Sequence, residues 1–342
     1  MLQAKYNVPV LFLIYNRPDL TEKVWSEIST LKPEKLFIAA DGPKNPAGKN
    51  ICEETRNITE NITWKCEVKR RYRETNLGCR NAVSDAITWF FDEVEEGVIL
   101  EDDCLPNLSF FFYCKEMLEY FRYDETVGHI NGSNHMKKSN KPVNASFYFS
   151  KYAHVWGWAT WKRVWINYDP YINEDHFTKL EFNSFTEKVY WWDKFSKTSS
   201  FQINTWDYQY LFMLWQKKLK TLMPRQNLIK NIGIDSRATH NNIFNYRIKR
   251  YIKRSREDIE EMVYPLNQEV SISEDKTLFD RLYKRFIISS LYLIVKFYFF
   301  TTIIPFLNKN LYPLLRKRLV NAQYLLFRLN VLIPGKGKYI SP

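Results

Sequence analysis

Glycine is scarce in this chain, 10 among 342 residues, and neither GxGxxG nor GxxxxGK[ST] occurs. A glycine-rich loop that cradles phosphates through its backbone is therefore excluded. Cysteine is no more helpful for metal chemistry. Cys52, Cys66, Cys79, Cys104 and Cys114 are an odd set with no CxxC pair and none beyond residue 114. That pattern argues against a zinc site or a disulfide framework and reads as reduced thiols in a cytosolic setting. A secretory signal is absent too: Met1-Leu-Gln-Ala-Lys-Tyr-Asn runs into a short apolar segment that reads as a strand. The sequons at Asn57 and Asn144 would go unused in that compartment.

Aromatic residues and positive charge are abundant. Aromatics make up 17% of the chain, a composition shared by carbohydrate sites, membrane interfaces and ordinary cores. The net charge is +12, and from Ser271 onward 12 Lys/Arg stand against 3 Asp/Glu. The basic excess is thus concentrated in the tail, where the neighbouring residues decide what it means.

The chain is organised around Gly97-Val-Ile-Leu-Glu-Asp-Asp-Cys-Leu-Pro106. Val98, Ile99 and Leu100 read as a strand buried on both faces. Glu101, Asp102 and Asp103 follow with no basic residue between them, and Pro106 is expected to stop the ladder. Like charges this close repel unless a cation or a donor-rich ligand sits among them. Open α/β sheets place ligands at the carboxyl ends of their strands, and hard oxygen ligands suit Mg²⁺ or Mn²⁺. A solvated acidic turn is the bland alternative.

Four strand–helix alternations surround this motif. Strands are expected at Val8–Tyr15, Lys35–Ala40, Cys66–Arg73 and the acidic segment. Helices are expected at 19–30, 49–61, 79–91 and 107–122. That pattern means a doubly wound α/β layer, with Asn16-Arg17, Asp41, Asn76 to Arg80 and the acids on one rim. Further strands follow at Val127–Asn134, Ser146–Phe149 and from Thr221. Residues 165–200 read as irregular helix and loop, polar with aromatics. A helix is expected over Tyr208–Lys218, opened by Trp206-Asp207. Trp156, Trp158 and Trp161 suit core or loop packing better than a sugar platform.

Beyond His240 the reading changes. Residues 251–274 form a connector, and 275–342 an amphipathic helical tail. Phe286–Leu307 is long enough to span a bilayer, but Lys296 lies mid-segment, and Arg281, Arg285, Ser289 and Tyr292 share its stripe. Leu311–Ile333 repeats the pattern with Arg316, Lys317, Arg318 and Arg328. Basic amphipathic helices favour lying on an anionic membrane over crossing it. Crossing through 286–307, or a helical hairpin that closes the core or a dimer, is the alternative. Long aliphatic runs between the charges argue against nucleic acid.

Taken together, Tyr15-Asn-Arg-Pro18, Asp41-Gly42, Asn76-Leu-Gly-Cys-Arg80, Leu100-Glu-Asp-Asp103, Trp156-Gly-Trp158 and Trp206-Asp207 resemble a known set. The chain resembles nucleotide-sugar-dependent glycosyltransferases of the GT-A fold, a Rossmann-like, mostly parallel sheet sandwiched by helices. It is most similar to inverting N-acetylglucosaminyltransferases of the N-glycan mannose core and their bacterial relatives. The likeness covers about Val8 to His240, so that residues 1–250 would be the transferase domain. Within it, 1–125 would hold the nucleotide and 126–250 the acceptor.

The resemblance implies a metal-dependent transfer from a UDP-sugar, with Mn²⁺ (or Mg²⁺) on Asp103. Glu101 and Asp102 would lie around the donor, Asn16 and Arg17 on the nucleotide, Asp41 on the uracil edge and Arg80 near the diphosphate. Asp207 would be the catalytic base, although Tyr208 stands where the family has a second acid. His240 is a further candidate metal ligand. The expected acceptor is a glycan, lipid-linked if the tail holds the chain to the cytosolic face of a membrane.

Each assignment has a plainer rival. Arg17 could bridge a surface carboxylate, Asp41 could cap its own turn, and Arg80 could face solvent. Asp207 could serve only the helix dipole, and His240 could be structural. Two other function classes also remain. A sugar-nucleotide nucleotidyltransferase would show a glycine-rich loop after the first strand, where this chain has Asn16-Arg17-Pro18. A non-catalytic membrane scaffold or sugar-binding module would tolerate loss of Asp103 and Asp207.

Overall fold

The computed structural model describes residues 5–134, 145–233, 259–267, 271–272 and 298. The chain divides into two units, 1–286 and 287–342, and the elements of the fold belong to the first.

Its centre is β1 (Val10–Ile14), a Val/Leu/Phe/Ile run in which every residue is buried. A strand with no exposed face must be covered on both sides, as in the interior of an α/β sheet. β1 pairs in parallel with β2 (Lys35–Ala40) on one side and β4 (Glu96–Glu101) on the other, and β3 (Glu67–Tyr72) extends the sheet beyond β2. The connecting helices are α1 (Pro18–Leu31), α2 (Lys49–Asn57) and α3 (Gly78–Glu93). Pro18 opens α1 at a position where its missing N–H costs nothing. These alternations fall where the sequence places them, with ends shifted by a few residues.

Beyond β4 the sheet becomes mixed. β8 (Trp158–Trp161) runs antiparallel to β4 and to β6 (Val127–Asn131). β9 (Lys220–Pro224) pairs in parallel with β6, and β7 (Phe147–Ser150) lies antiparallel beyond it. β11 (Ser271–Ile272) closes that edge, parallel to β7. The full order is β11-β7-β9-β6-β8-β4-β1-β2-β3. The architecture is mixed α/β, a large and mostly parallel central sheet flanked by helices.

Three local expectations change. The acidic turn leads into a further strand before Pro106 closes it: β5 (Cys104–Pro106) forms an antiparallel ribbon with β10 (Ile229–Asn231). Residues 165–200, expected as irregular helix and loop, hold a regular 15-residue helix, α6 (Phe185–Ser199), capped by the Ser184 hydroxyl on the Glu187 N–H. Its buried face is built of Val189, Trp191 and Phe195, a spacing obscured in the sequence by the polar residues between them. Part of the expected connector packs onto the domain: Met262 and Leu266 are buried. The Glu260 N–H donates to the Asn227 carbonyl, and β11 lies in the same segment.

The remaining helices are α4 (Leu108–Tyr120), the short α5 (Lys162–Trp165) and α7 (Asp207–Gln216). No helix among the described residues is long and apolar enough to cross a membrane. The amphipathic tail, 275–342, lies outside the described residues apart from Tyr298, and so does His240.

Candidate active site

Register alone gathers the rim. Ile14 lies opposite Ala40, and Leu13 opposite Glu101, so the residues that follow these strands emerge side by side. Asp102 turns back, and its Oδ2 accepts from the Tyr15 N–H at 3.1 Å, fixing the acidic turn to the end of β1. Asp103 faces Arg17, with Nη1 to Oδ2 at 3.2 Å. Asn16 is half-buried in the same β1–α1 turn.

Glycine marks the other wall. A Cβ at Gly233 would fall 2.2 Å from Asp103 Oδ2 and 2.7 Å from Arg17 Nη1, so only glycine permits the chain to pass so close to this pair. The Ile232 N–H also donates to the Asp103 carbonyl at 2.8 Å.

The acids are electrostatically crowded. Burial first, then the neighbouring charges of Asp103, Asp102 and Asp207, push the Glu101 carboxyl well above its usual range, against the pull of Arg17. Burial and Asp103 raise Asp102 to about 7. Burial also raises Asp103, with Arg17 opposing. Asp207, more than a hundred residues away in sequence, thus lies within electrostatic reach of Glu101. It is the first residue of α7 and accepts from the Thr205 hydroxyl. Its position depends on tryptophan packing: Trp206 is buried and stacks on Trp158 at 5.7 Å between centroids. Trp158 and Trp161 are core residues, as the sequence pattern favours.

Asp41 does something other than the resemblance implies. Its Oδ1 accepts from the Gly42 and Leu77 N–H groups, and its Oδ2 from the Gly78 N–H and the Asn76 amide. Four donors fill the lone-pair sites of a carboxylate. Asp41 therefore clasps the N-terminus of α3 to the end of β2, and a base-edge contact through the same oxygens would have to break one of these bonds. Asn76, which the sequence places on the rim without a role of its own, is the second half of the clasp, and its amide also reaches the Tyr15 hydroxyl at 3.2 Å.

Arg80 is not solvent-facing. It is 6% exposed, its Nη2 donates to the Pro170 carbonyl, and its guanidinium lies over the Phe201 ring. The structure therefore joins Arg17, Glu101, Asp102, Asp103 and Asp207, sets Asp41 behind them as a clasp, and turns Arg80 toward the loops before and after α6. Cys79 lies beside the acids: loss of hydration, then the charges of Glu101, Asp207, Asp103 and Asp41, push its thiol up to about 12. Cys79 falls inside the Asn76–Arg80 motif without being singled out there, and no sequence motif marks Thr205 or Gly233. In so glycine-poor a chain, the isolated Gly233 is the one available signal.

No family model matches this chain, and no curated protein does. Among solved structures, HddC from Yersinia pseudotuberculosis is similar at 12% identity, over 46% of this chain and 77% of that one, with a TM-score of 0.27. The 4-diphosphocytidyl-2C-methyl-D-erythritol synthase from Anaerococcus prevotii is similar at 10% identity, over 58% and 84%, with a TM-score of 0.30. These likenesses are too slight to carry an argument about activity. The site geometry has to supply it.

Proposed function

We propose that this chain is a metal-dependent glycosyltransferase that moves a sugar from a UDP-sugar to an acceptor hydroxyl with inversion. The observation that carries this reading is the crowding of Glu101, Asp102 and Asp103 where β4 ends beside β1, with Asp207 at the start of α7 within electrostatic reach of Glu101. Arg17 is paired with Asp103 among them. Crowded acids with raised proton affinity hold a surplus of negative charge that a divalent cation would neutralise.

The donor set fits such an ion. Carboxylate oxygens are hard ligands suited to Mn²⁺ or Mg²⁺. Among the described residues no three His, Cys, Asp or Glu converge to hold an ion unaided. Asp103 would therefore be the protein ligand, with phosphate oxygens and water completing the shell. The bound ion would supply Lewis-acid neutralisation of the departing diphosphate.

The chain's own residues carry the rest. Arg17 provides a fixed second cation for the phosphates. Glu101 and Asp102 face the donor's sugar and ribose. Asp207, on the far wall, takes the proton from the attacking hydroxyl as the anomeric carbon gains oxocarbenium character. A single base on one side of the sugar with the leaving group on the other supports direct displacement.

A second reading keeps a nucleotide at this rim but makes the chain a sugar-nucleotide nucleotidyltransferase. The same crowded acids and Arg17 would serve the departure of pyrophosphate as well as that of UDP. One experiment separates the two. The purified chain is incubated with a panel of UDP-sugars, or with UTP or CTP plus sugar phosphates, with and without EDTA. Release of UDP that EDTA abolishes supports sugar transfer; release of pyrophosphate supports the alternative. Neither product from any pair would leave a non-catalytic binding module.

Residues 275–342 would hold the enzyme to the cytosolic face of a membrane, which favours a lipid-linked glycan as acceptor. Persistence at the membrane after their deletion would remove the basis for that assignment.

A further inference from the structure

The loop after α5 and the loop between α6 and α7 meet beside the acidic rim, and their contacts are unusual. Tyr171 and Phe201 are 66% and 63% exposed, and their rings meet edge to face with centroids 6.2 Å apart. Phe201 holds a φ of +59°, a left-handed conformation that a bulky aromatic adopts only under constraint. Its ring lies 4.5 Å from the Arg80 guanidinium carbon.

Beneath the rings two polar atoms are left over. Arg80 Nη1 is buried with no acceptor, and no carboxylate among the described residues pairs with this guanidinium. Gln209, 1% exposed, points its Nε2 at the same Pro170 carbonyl that Arg80 Nη2 reaches, at 3.5 Å, and its Oε1 has no donor. An orphan donor and an orphan acceptor thus flank one carbonyl oxygen. Buried groups left in this state are costly, and a single hydroxyl can accept from one while donating to the other. The Tyr168 hydroxyl, in the loop after α5, feels the charges of both Arg80 and Asp207, which sets Arg80 near the proposed base. Gln209 shares the Pro170 carbonyl with Arg80.

We propose that Tyr171, Phe201, Arg80 and Gln209 form the acceptor subsite for a pyranose. The apolar face of the sugar lies against the two exposed rings, and one of its hydroxyls bridges Arg80 Nη1 and Gln209 Oε1. The Phe201 ring covers the guanidinium, so the hydroxyl enters as that ring turns aside and the left-handed backbone relaxes. The assignment rests on the glycosyltransferase reading, for which it names the second substrate class.

Saturation-transfer NMR on the full chain tests it. The probes are p-nitrophenyl glycosides of glucose, galactose, mannose, N-acetylglucosamine and glucuronic acid, each with and without UDP and Mn²⁺. At least one glycoside is expected to receive saturation from the wild type. That signal should fall about tenfold, the scale of losing one aromatic contact, in both Phe201→Ala and Tyr171→Ala. These side chains are exposed, so the fold survives their removal, and circular dichroism confirms it. Arg80→Lys and Gln209→Leu should weaken the same signal without changing UDP binding. The subsite is overturned if no glycoside is saturated, or if the signal is indifferent to Phe201 and Tyr171. Absence of UDP binding alongside a Phe201-dependent glycoside signal would instead sink the donor reading and leave the subsite standing.

Discussion

Asp102 shows how function and stability pull against each other at a single residue. Its carboxyl is raised to about 7, first by burial and then by Asp103. A raised carboxyl binds protons more tightly in the folded state than in the unfolded one. Its contribution to stability is therefore present at low pH and is lost as pH climbs from about 4 toward 7. Asp102→Asn removes that liability. The variant should be more stable than the wild type at pH 8, by an amount on the order of 1–3 kcal/mol, and nearly equal to it at pH 4.5. Thermal unfolding across this range checks the sign; a variant less stable at pH 8 than at pH 4.5, relative to wild type, would contradict it.

His129 works in the opposite sense. It is buried between Asn131, the His154 carbonyl and the Tyr210 hydroxyl, and burial lowers it to about 3. The unfolded chain takes up its proton first, so the wild type loses stability as pH falls below about 6.5. His129→Gln should flatten that acid limb in the same unfolding series while lowering the plateau through lost packing on Trp158.

At the scale of elements, the central question is what aligns α3 and α7 with the strand ends. Asp41 takes four donors from the β2–α3 side of the rim, so Asp41→Ala leaves the first turn of α3 without its clasp. A loss of roughly 2–4 kcal/mol is expected, with Asp41→Asn recovering part of it, measured by denaturant unfolding. Amide exchange should localise the damage to residues 76–80.

Gly157 plays the matching part on the other side. Its φ is +60°, and a Cβ there would meet Ile229 at 2.4 Å, so Gly157→Ala should strain the junction of β8 with β10.

The parallel half of the sheet is legible in the sequence because β1, β2 and β4 are apolar runs that end in turn chemistry. Hydrophobic pattern and punctuation agree there. The acids are legible for the same reason. The mixed half is legible only in part: β6, β7 and β9 fall where strands are expected, whereas the shortest strands escape. β8 is Trp-Ala-Thr-Trp, too short for its period to be read, and β5 and β10 are three residues each, defined only by their partner. Arg80 is legible as a helix residue, but its burial depends on Phe201 and Pro170, far away in the chain. Asp41 reads as a site residue because its place in the chain is right, whereas its hydrogen bonds come largely from backbone groups that sequence does not display.

For the molecule as a whole, a basic chain crowds a few of its 38 acids at one rim. Much of the +12 net charge is carried by the sequence from residue 271 onward. A chain ending at residue 274 keeps β11 and all the rim residues. It should therefore bind UDP as the full chain does while losing co-sedimentation with phosphatidylserine-containing vesicles. Undiminished co-sedimentation would detach membrane binding from the tail.

Calorimetric titration of UDP into the protein, with Mn²⁺ and then with EDTA, tests the rim most directly. Binding should be strong with the metal, fall by at least about tenfold in EDTA, and fall equally in Asp103→Asn whether or not metal is present. UDP affinity indifferent to both EDTA and Asp103→Asn would contradict a metal-dependent site on these acids.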